Sequence, residues 1–149
     1  MKRRSGFNTI IGAISGALPP LIGWTAAGGE ILKVEPWFLF GLLFLWQLPH
    51  FVAINWMYRK EYEDAGFMMW SNGDESGSRT SFLGVFFSIL LILLLMTPLL
   101  FTFVKTWAVI AMILASGVML KYAVVFSKSR LRQDARRLFL YTLIFLPVA

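Results

Sequence analysis

Cysteine is absent from all 149 residues, which excludes disulfides, zinc–thiolate sites and thiol nucleophiles. Charge is scarce: Asp, Glu, Lys and Arg make up 15% of the chain against 58% hydrophobic residues, with a mean hydropathy of +0.69. A water-soluble domain of this length needs far more polar surface, so lipid is the solvent for most of the chain. Sustained β-alternation is also missing, which leaves a helical bundle rather than a barrel as the way to satisfy the backbone in a bilayer. No cleavable leader stands out. Lys2-Arg3-Arg4 precedes an apolar segment, but that segment is long, holds Pro19-Pro20 and shows no small-residue cleavage site. Histidine occurs once, at position 50.

What is present is organised as spans. Crossing a bilayer takes about 20 mostly apolar residues. Five segments approach this length: 8–27, 36–57, 82–104, 107–126 and a last one over 138–149. The fifth is too short to cross at a rise of about 1.5 Å per residue, so it is expected to be a half-span or a truncated helix. The expected fold is an all-α, polytopic transmembrane bundle with a charged loop over 58–80.

Net charge is +6. The basic residues sit at span ends, which fits a membrane topology signal rather than a nucleic-acid surface. Eleven of them fall on alternate connections: Lys2, Arg3 and Arg4; Arg59, Lys60 and Arg79; Lys128, Arg130, Arg132, Arg136 and Arg137. The opposite connections hold only Lys33 and Lys105. The positive-inside rule therefore puts the 58–80 loop on the cytoplasmic side, or the matrix side in an organelle. The 127–137 run reads as a basic loop whose main roles are topology and contact with lipid phosphates.

The first span carries Gly12, Ala13, Gly16 and Ala17, small residues that permit close helix approach. Pro19-Pro20 removes two backbone donors and predicts a bend near mid-membrane. Trp24, Trp37, Trp56, Tyr58, Trp70 and Trp107 lie at span ends as interfacial anchors.

The chemistry-bearing residues lie between 45 and 66. His50 stands in the run Trp46-Gln47-Leu48-Pro49-His50-Phe51, and an ionisable group at membrane depth marks a functional site by default. Trp46, His50 and Asn55 or Ile54 fall near one helix face, with Gln47 adjacent, and such a polar face belongs toward the bundle interior. Glu61 and Asp64 are three apart and share a face if a helix continues past Tyr58. One or two carboxylates completed by substrate phosphates are the usual way a protein holds Mg2+. Arg59 and Lys60 supply cations for the same phosphates. The bland alternative is a solvated interfacial loop. Asn72-Gly73-Asp74-Glu75-Ser76-Gly77-Ser78 reads as a turn-rich, mobile connection.

Two blocks resemble a known family. Gly16-Ala17-Leu18-Pro19-Pro20-Leu21-Ile22-Gly23-Trp24, and Pro49-His50-Phe51 followed by Glu61-Tyr62-x-x-Ala65-Gly66, resemble the protohaem IX farnesyltransferase (haem O synthase) branch of the UbiA-type membrane prenyltransferases. The Arg136-Arg137-Leu138-Phe139 run resembles the entry to that family's last helix. The resemblance covers nearly the whole chain and implies about five helices of a nine-helix bundle with two acidic motifs. It implies farnesyl diphosphate bound through Mg2+ and haem B as the acceptor. On that basis Glu61 stands at the carboxylate of the second motif, Arg59 and Lys60 are diphosphate contacts, and Lys2 and Arg3 end a basic motif that also meets diphosphate. Asn55, Tyr62 and Trp46 join the substrate-binding set, and His50 meets haem as an iron ligand or a polar contact.

The sequence departs from the pattern in places. The first acidic motif has no counterpart, so the chain is expected to be a C-terminal part that needs the remaining helices for activity. Glu63 and Asp64 do not fall on family acidic positions, so Asp64 rests on spacing alone. Phe67-Met68-Met69-Trp70 replaces the Pro-Met-Leu-Pro of many bacterial members and is closer to the mitochondrial type. A UbiA-type enzyme acting on a quinone precursor is the nearest alternative, and a non-catalytic haem-binding or assembly protein the next. The expected setting is a bacterial plasma membrane or a mitochondrial inner membrane.

Overall fold

A computed structural model describes residues 8–101 and 104–148. Lys2 and Arg3 lie outside the described residues. Within them the chain forms eight helices: α1 (Asn8–Ala17), α2 (Pro19–Ala26), α3 (Val34–Met57), α4 (Arg59–Asp64), α5 (Ser78–Met96), α6 (Pro98–Phe101), α7 (Thr106–Ser129) and α8 (Arg132–Val148). The all-α bundle read from the composition is the fold observed. Four stretches are long and apolar enough to cross a membrane: Thr9–Ala26, Val34–Met57, Ser78–Leu100 and Thr106–Ser129.

The first stretch breaks where the prolines demand it. Pro19 and Pro20 cannot donate to the carbonyls of Ser15 and Gly16. The Leu18 amide instead reaches back to Ser15 at 3.4 Å, and α2 restarts with proline in its first turn, where a missing donor costs nothing. Pro49 sits inside α3 without ending it.

The last helix departs from the expectation drawn from the sequence. It begins at Arg132, six residues before the predicted span, and α7 runs on to Ser129. The basic run 127–137 is therefore two helix ends joined by an elbow at Arg130-Leu131. Arg130 adopts a left-handed conformation (φ 56°) that stops α7. Its charged turn still buries one stripe, because Ala135 and Leu138 are three apart and both fully buried. Asp134 and Arg137 pair across the same spacing at 2.9 Å.

Helix α3 packs against α5 and α8, and α7 packs against the same two, so these four close a ring. Its interior is filled by Val52, Leu91, Leu95, Met119, Phe126, Leu138 and Phe145. Helices α1 and α2 lie on the outer side of α3. There the small residues of α1 let Gln47 of α3 reach across and donate to the Ala13 carbonyl at 2.6 Å. At one end of the bundle Trp24 and Trp37 donate their indole N–H groups to the carbonyls of Glu30 and Ile31, fastening the α2–α3 connection. The other end holds α4, the 65–77 connection and the α7–α8 elbow.

Candidate active site at the charged end of the bundle

Trp56 organises this end. It is almost fully buried in the last turn of α3, and its indole N–H donates to the Arg130 carbonyl at 3.0 Å. One ring face carries the Arg59 guanidinium, 4.2 Å from its centroid. The ring also lies so close to Gly77 that a Cβ there would stand 2.5 Å from it. Gly77 takes φ +70° at the start of α5, a conformation that costs other residues roughly 1–2 kcal/mol. One side chain thus fixes α3, α5 and the α7–α8 elbow to a common point. Arg132 lies over Tyr58, with 5.7 Å to the ring centroid, on the same end. The two basic connections predicted to share a membrane face do share one end of the bundle.

Helix α4 follows after the single residue Tyr58, so the helix expected past that position is present as a separate short one. Its two sides face different surroundings. Tyr62 lines an apolar groove of about 330 Å³ with Thr9 and Gly12 of α1, Phe51 and Ile54 of α3, and Phe67 and Met69 beyond α4. The Thr9 hydroxyl is buried at this groove without a hydrogen-bond partner among the described residues. An orphaned buried hydroxyl costs about 1–3 kcal/mol, and a groove occupant with an acceptor would satisfy it. Arg59, Lys60 and Glu63 line a second, smaller cleft on the other side, with Ser71, Asp74 and Glu75.

Glu61 and Asp64 are both solvent-exposed, three apart on α4. The one ion pair among the described residues is Asp134–Arg137, so neither carboxylate is paired with a cation among them. No three His, Asp or Glu side chains gather to hold a metal among the described residues. Two carboxylates one turn apart fit a cation that takes its remaining ligands from water and phosphate.

His50 and Trp46 face α8 rather than the groove. Their rings stack at 5.6 Å between centroids and 24° between planes, and Phe139 covers the imidazole from the other helix at 4.9 Å. Trp46 donates to the Thr142 carbonyl at 2.8 Å. His50 Nδ1 lies 2.8 Å from Thr142 Oγ1, and that hydroxyl donates to the Phe139 carbonyl at 2.6 Å. A hydroxyl has one proton to give, so the imidazole must donate through Nδ1. Nε2 then carries the lone pair and has no partner among the described residues. A ring held in this way presents Nε2 as an acceptor.

Asn55 is fully buried and points to the 65–77 connection, where Ser71 Oγ donates to its Oδ1. The next residues are ordered too. Asp74 is only 4% exposed. Its Oδ2 accepts from the Thr80 N–H and hydroxyl, both at 2.8 Å, and its Oδ1 accepts from Ser76 Oγ at 3.2 Å. Burial pushes this carboxyl up, but the hydrogen bonds from Thr80, Ser76 and the Ser78 N–H outweigh it and hold its pKa below the ordinary value. The stretch read as a mobile loop is a hydrogen-bonded cap on α5. Thr9, Ser71, Thr80 and Thr142 were not singled out in the sequence. Asp74 lies three residues before the Gly77 N-cap and six before Thr80, a spacing that carries no standard capping signal.

The charged end of the bundle thus combines an apolar groove between helices, walled on one side by Tyr62 of α4, with exposed carboxylates on the same short helix. The family described as the UbiA prenyltransferase family matches residues 1–145, and the chain belongs to that family. It is 35% identical over 154 residues to the protoheme IX farnesyltransferase of Rhodopirellula baltica, covering 99% of this chain and 54% of the relative. It is 38% identical over 148 residues to that of Opitutus terrae, covering 99% and 50%. A mitochondrial protoheme IX farnesyltransferase of Yarrowia lipolytica is 49% identical over 74 residues, covering 48% of this chain and 16% of the relative. The chain thus spans about half the length of the first two curated relatives. No solved structure matches it.

Proposed function

We propose that the bundle to which this chain contributes transfers a farnesyl group from farnesyl diphosphate to a vinyl group of haem B, making haem O. The observation that carries this reading is the groove lined by Phe51, Tyr62 and Phe67, whose α4 wall, Tyr62, is next in sequence to the exposed carboxylate of Glu61, within a chain so similar to protoheme IX farnesyltransferases. In the transfer, the bond between the farnesyl C1 and the diphosphate oxygen breaks and the diphosphate leaves with the electron pair. The vinyl π electrons form the new carbon–carbon bond, and water captures the cation left on the porphyrin side chain and releases a proton.

Each set of residues has a part in this. Phe51, Tyr62 and Phe67 exclude water from the allylic cation and present π faces to it. Glu61, with Asp64 one turn on, would hold Mg2+ that neutralises the leaving diphosphate. Lys60 and Arg59 add positive charge on the same short helix, and, like Lys2 and Arg3, are assigned to the diphosphate by resemblance. His50 offers Nε2 to haem, with Thr142 setting its tautomer and Trp46 its ring plane. The membrane is a bacterial plasma membrane or a mitochondrial inner membrane, with α4 on the cytoplasmic or matrix side.

A chimera tests the reading: this chain replaces the segment it matches in the Rhodopirellula baltica relative, and membranes are assayed for haem O from haem B and farnesyl diphosphate. Haem O formation that is lost with Glu61→Gln is the expected result. A chimera that prenylates a hydroxybenzoate and leaves haem B unchanged would sink the substrate assignment.

A further inference from the structure

The buried hydrogen bond between Ser71 and Asn55 joins the end of α3 to a connection that supplies one wall of the groove. That wall is Phe67 and Met69. Met69 is tied to Asn72, whose Oδ1 accepts from the Met69 N–H, and Asp74 is tied to Thr80 of α5. Between these two local ties, Ser71 is the point at which the connection is fastened to α3. Asn55 is the residue that receives it.

Asn55 is a costly choice for stability alone. It is 0% exposed, yet its Nδ2 has no hydrogen-bond partner among the described residues. A leucine has nearly the same shape and leaves no orphaned amide, and exchanging a buried polar pair for apolar groups of like shape is close to neutral. What a leucine cannot do is hold Ser71. We propose that Asn55 is a positioning residue: through Ser71 it fixes the 67–69 segment as the outer wall of the apolar groove. This assignment concerns the wall itself and does not depend on which ligand the groove takes.

The absence of cysteine makes the test direct. Met69→Cys reports the wall, Ser116→Cys reports opening of the buried core, and Lys128→Cys reports an exposed position elsewhere. Each is introduced into the full chain, purified in detergent and labelled with a water-soluble maleimide. Ser71→Ala, or Asn55→Leu with Ser71→Ala, should speed labelling at position 69 about fivefold, the factor set by losing one ordinary hydrogen bond. Labelling at 116 and 128 should stay as in the parent, and Ser71→Thr, which keeps the hydroxyl, should restore the slow rate at 69. The melting temperature of the Asn55→Leu, Ser71→Ala chain should match or exceed that of the parent. Equal acceleration at 69 and 116 would show that Asn55 serves global stability and overturn the assignment. No acceleration at 69 would overturn it as well.

Discussion

Gly16 and Gln47 occupy one space between α1 and α3: a Cβ on residue 16 would stand 2.6 Å from the Gln47 side-chain oxygen. The glycine is what admits the amide to its acceptor on Ala13. Gly16→Ala should therefore expel Gln47 and destabilise the bundle by about 1–3 kcal/mol, the usual cost of overpacking. Gln47→Ala alone should cost about as much through the lost bond and the space it leaves. The double variant should be less damaging than the sum of the two, because the clash needs both partners. Thermal unfolding in detergent of the four chains checks this; strict additivity would contradict the shared-space account.

Thr142 governs how His50 presents Nε2. Thr142→Val keeps the shape but removes the hydroxyl that receives Nδ1–H, so the tautomer is no longer selected. Haem titrated into the purified chain should show a spectral shift that disappears with His50→Ala. Thr142→Val should weaken its affinity roughly 10–100-fold, the usual effect of losing such a supporting partner, and Thr142→Ser should retain it. An unchanged titration with His50→Ala would remove His50 from the haem-binding set.

Gly77→Ala should be among the most disruptive single changes at the charged end. It adds the strain of a left-handed backbone, roughly 1–2 kcal/mol, to a displacement of the Trp56 ring. Trp56→Phe keeps the ring but loses the bond to Arg130, and should cost about 1 kcal/mol. Intrinsic fluorescence of Trp56 in a chain whose other tryptophans are replaced by phenylalanine would report the displacement as a red shift.

The cap on α5 should resist acid. Hydrogen bonds lower the Asp74 pKa in the folded chain below its ordinary value. Its contribution is thus fully present above the ordinary carboxylate pKa of about 3.9 and is lost only as pH falls through the lower, folded value. Hydrogen exchange at the Thr80 amide, corrected for intrinsic rates, should show constant protection from neutral pH down to the ordinary carboxylate range, then decline. Asp74→Ala should remove the protection at every pH.

The spans were legible because length and continuous apolarity suffice to define them, and the bend at Leu18 because two consecutive prolines leave little choice. The start of α8 was not legible. Its first turns are charged on every side but the stripe of Ala135 and Leu138, and a run with five basic residues reads as a loop until the helix facing it is known. Side-chain placement on α3 was harder still. Trp46, His50, Ile54 and Asn55 are close on a helical wheel, yet the first two meet α8, Ile54 lines the groove and Asn55 enters the interior. A helix that is apolar nearly all round does not announce how it is rotated against its neighbours. The acidic pair on α4 was legible as a pair, but not that Arg59 and Lys60 would line a separate cleft with Glu63, Ser71 and Asp74.

The elbow at Arg130-Leu131 bears on how the protein reaches its membrane. Helix α8 opens on Arg132, Asp134, Arg136 and Arg137, a charged entry that costs much to carry into a bilayer by itself. With two residues between them, α7 and α8 form a helical hairpin in which the more apolar arm comes first. Tyr141 already donates to the Ala115 carbonyl of α7 across that hairpin at 2.8 Å. Biogenesis of the last helix is thereby yoked to the one before it: lengthening the elbow with a flexible spacer should strand α8 outside the bilayer before it alters anything at α4.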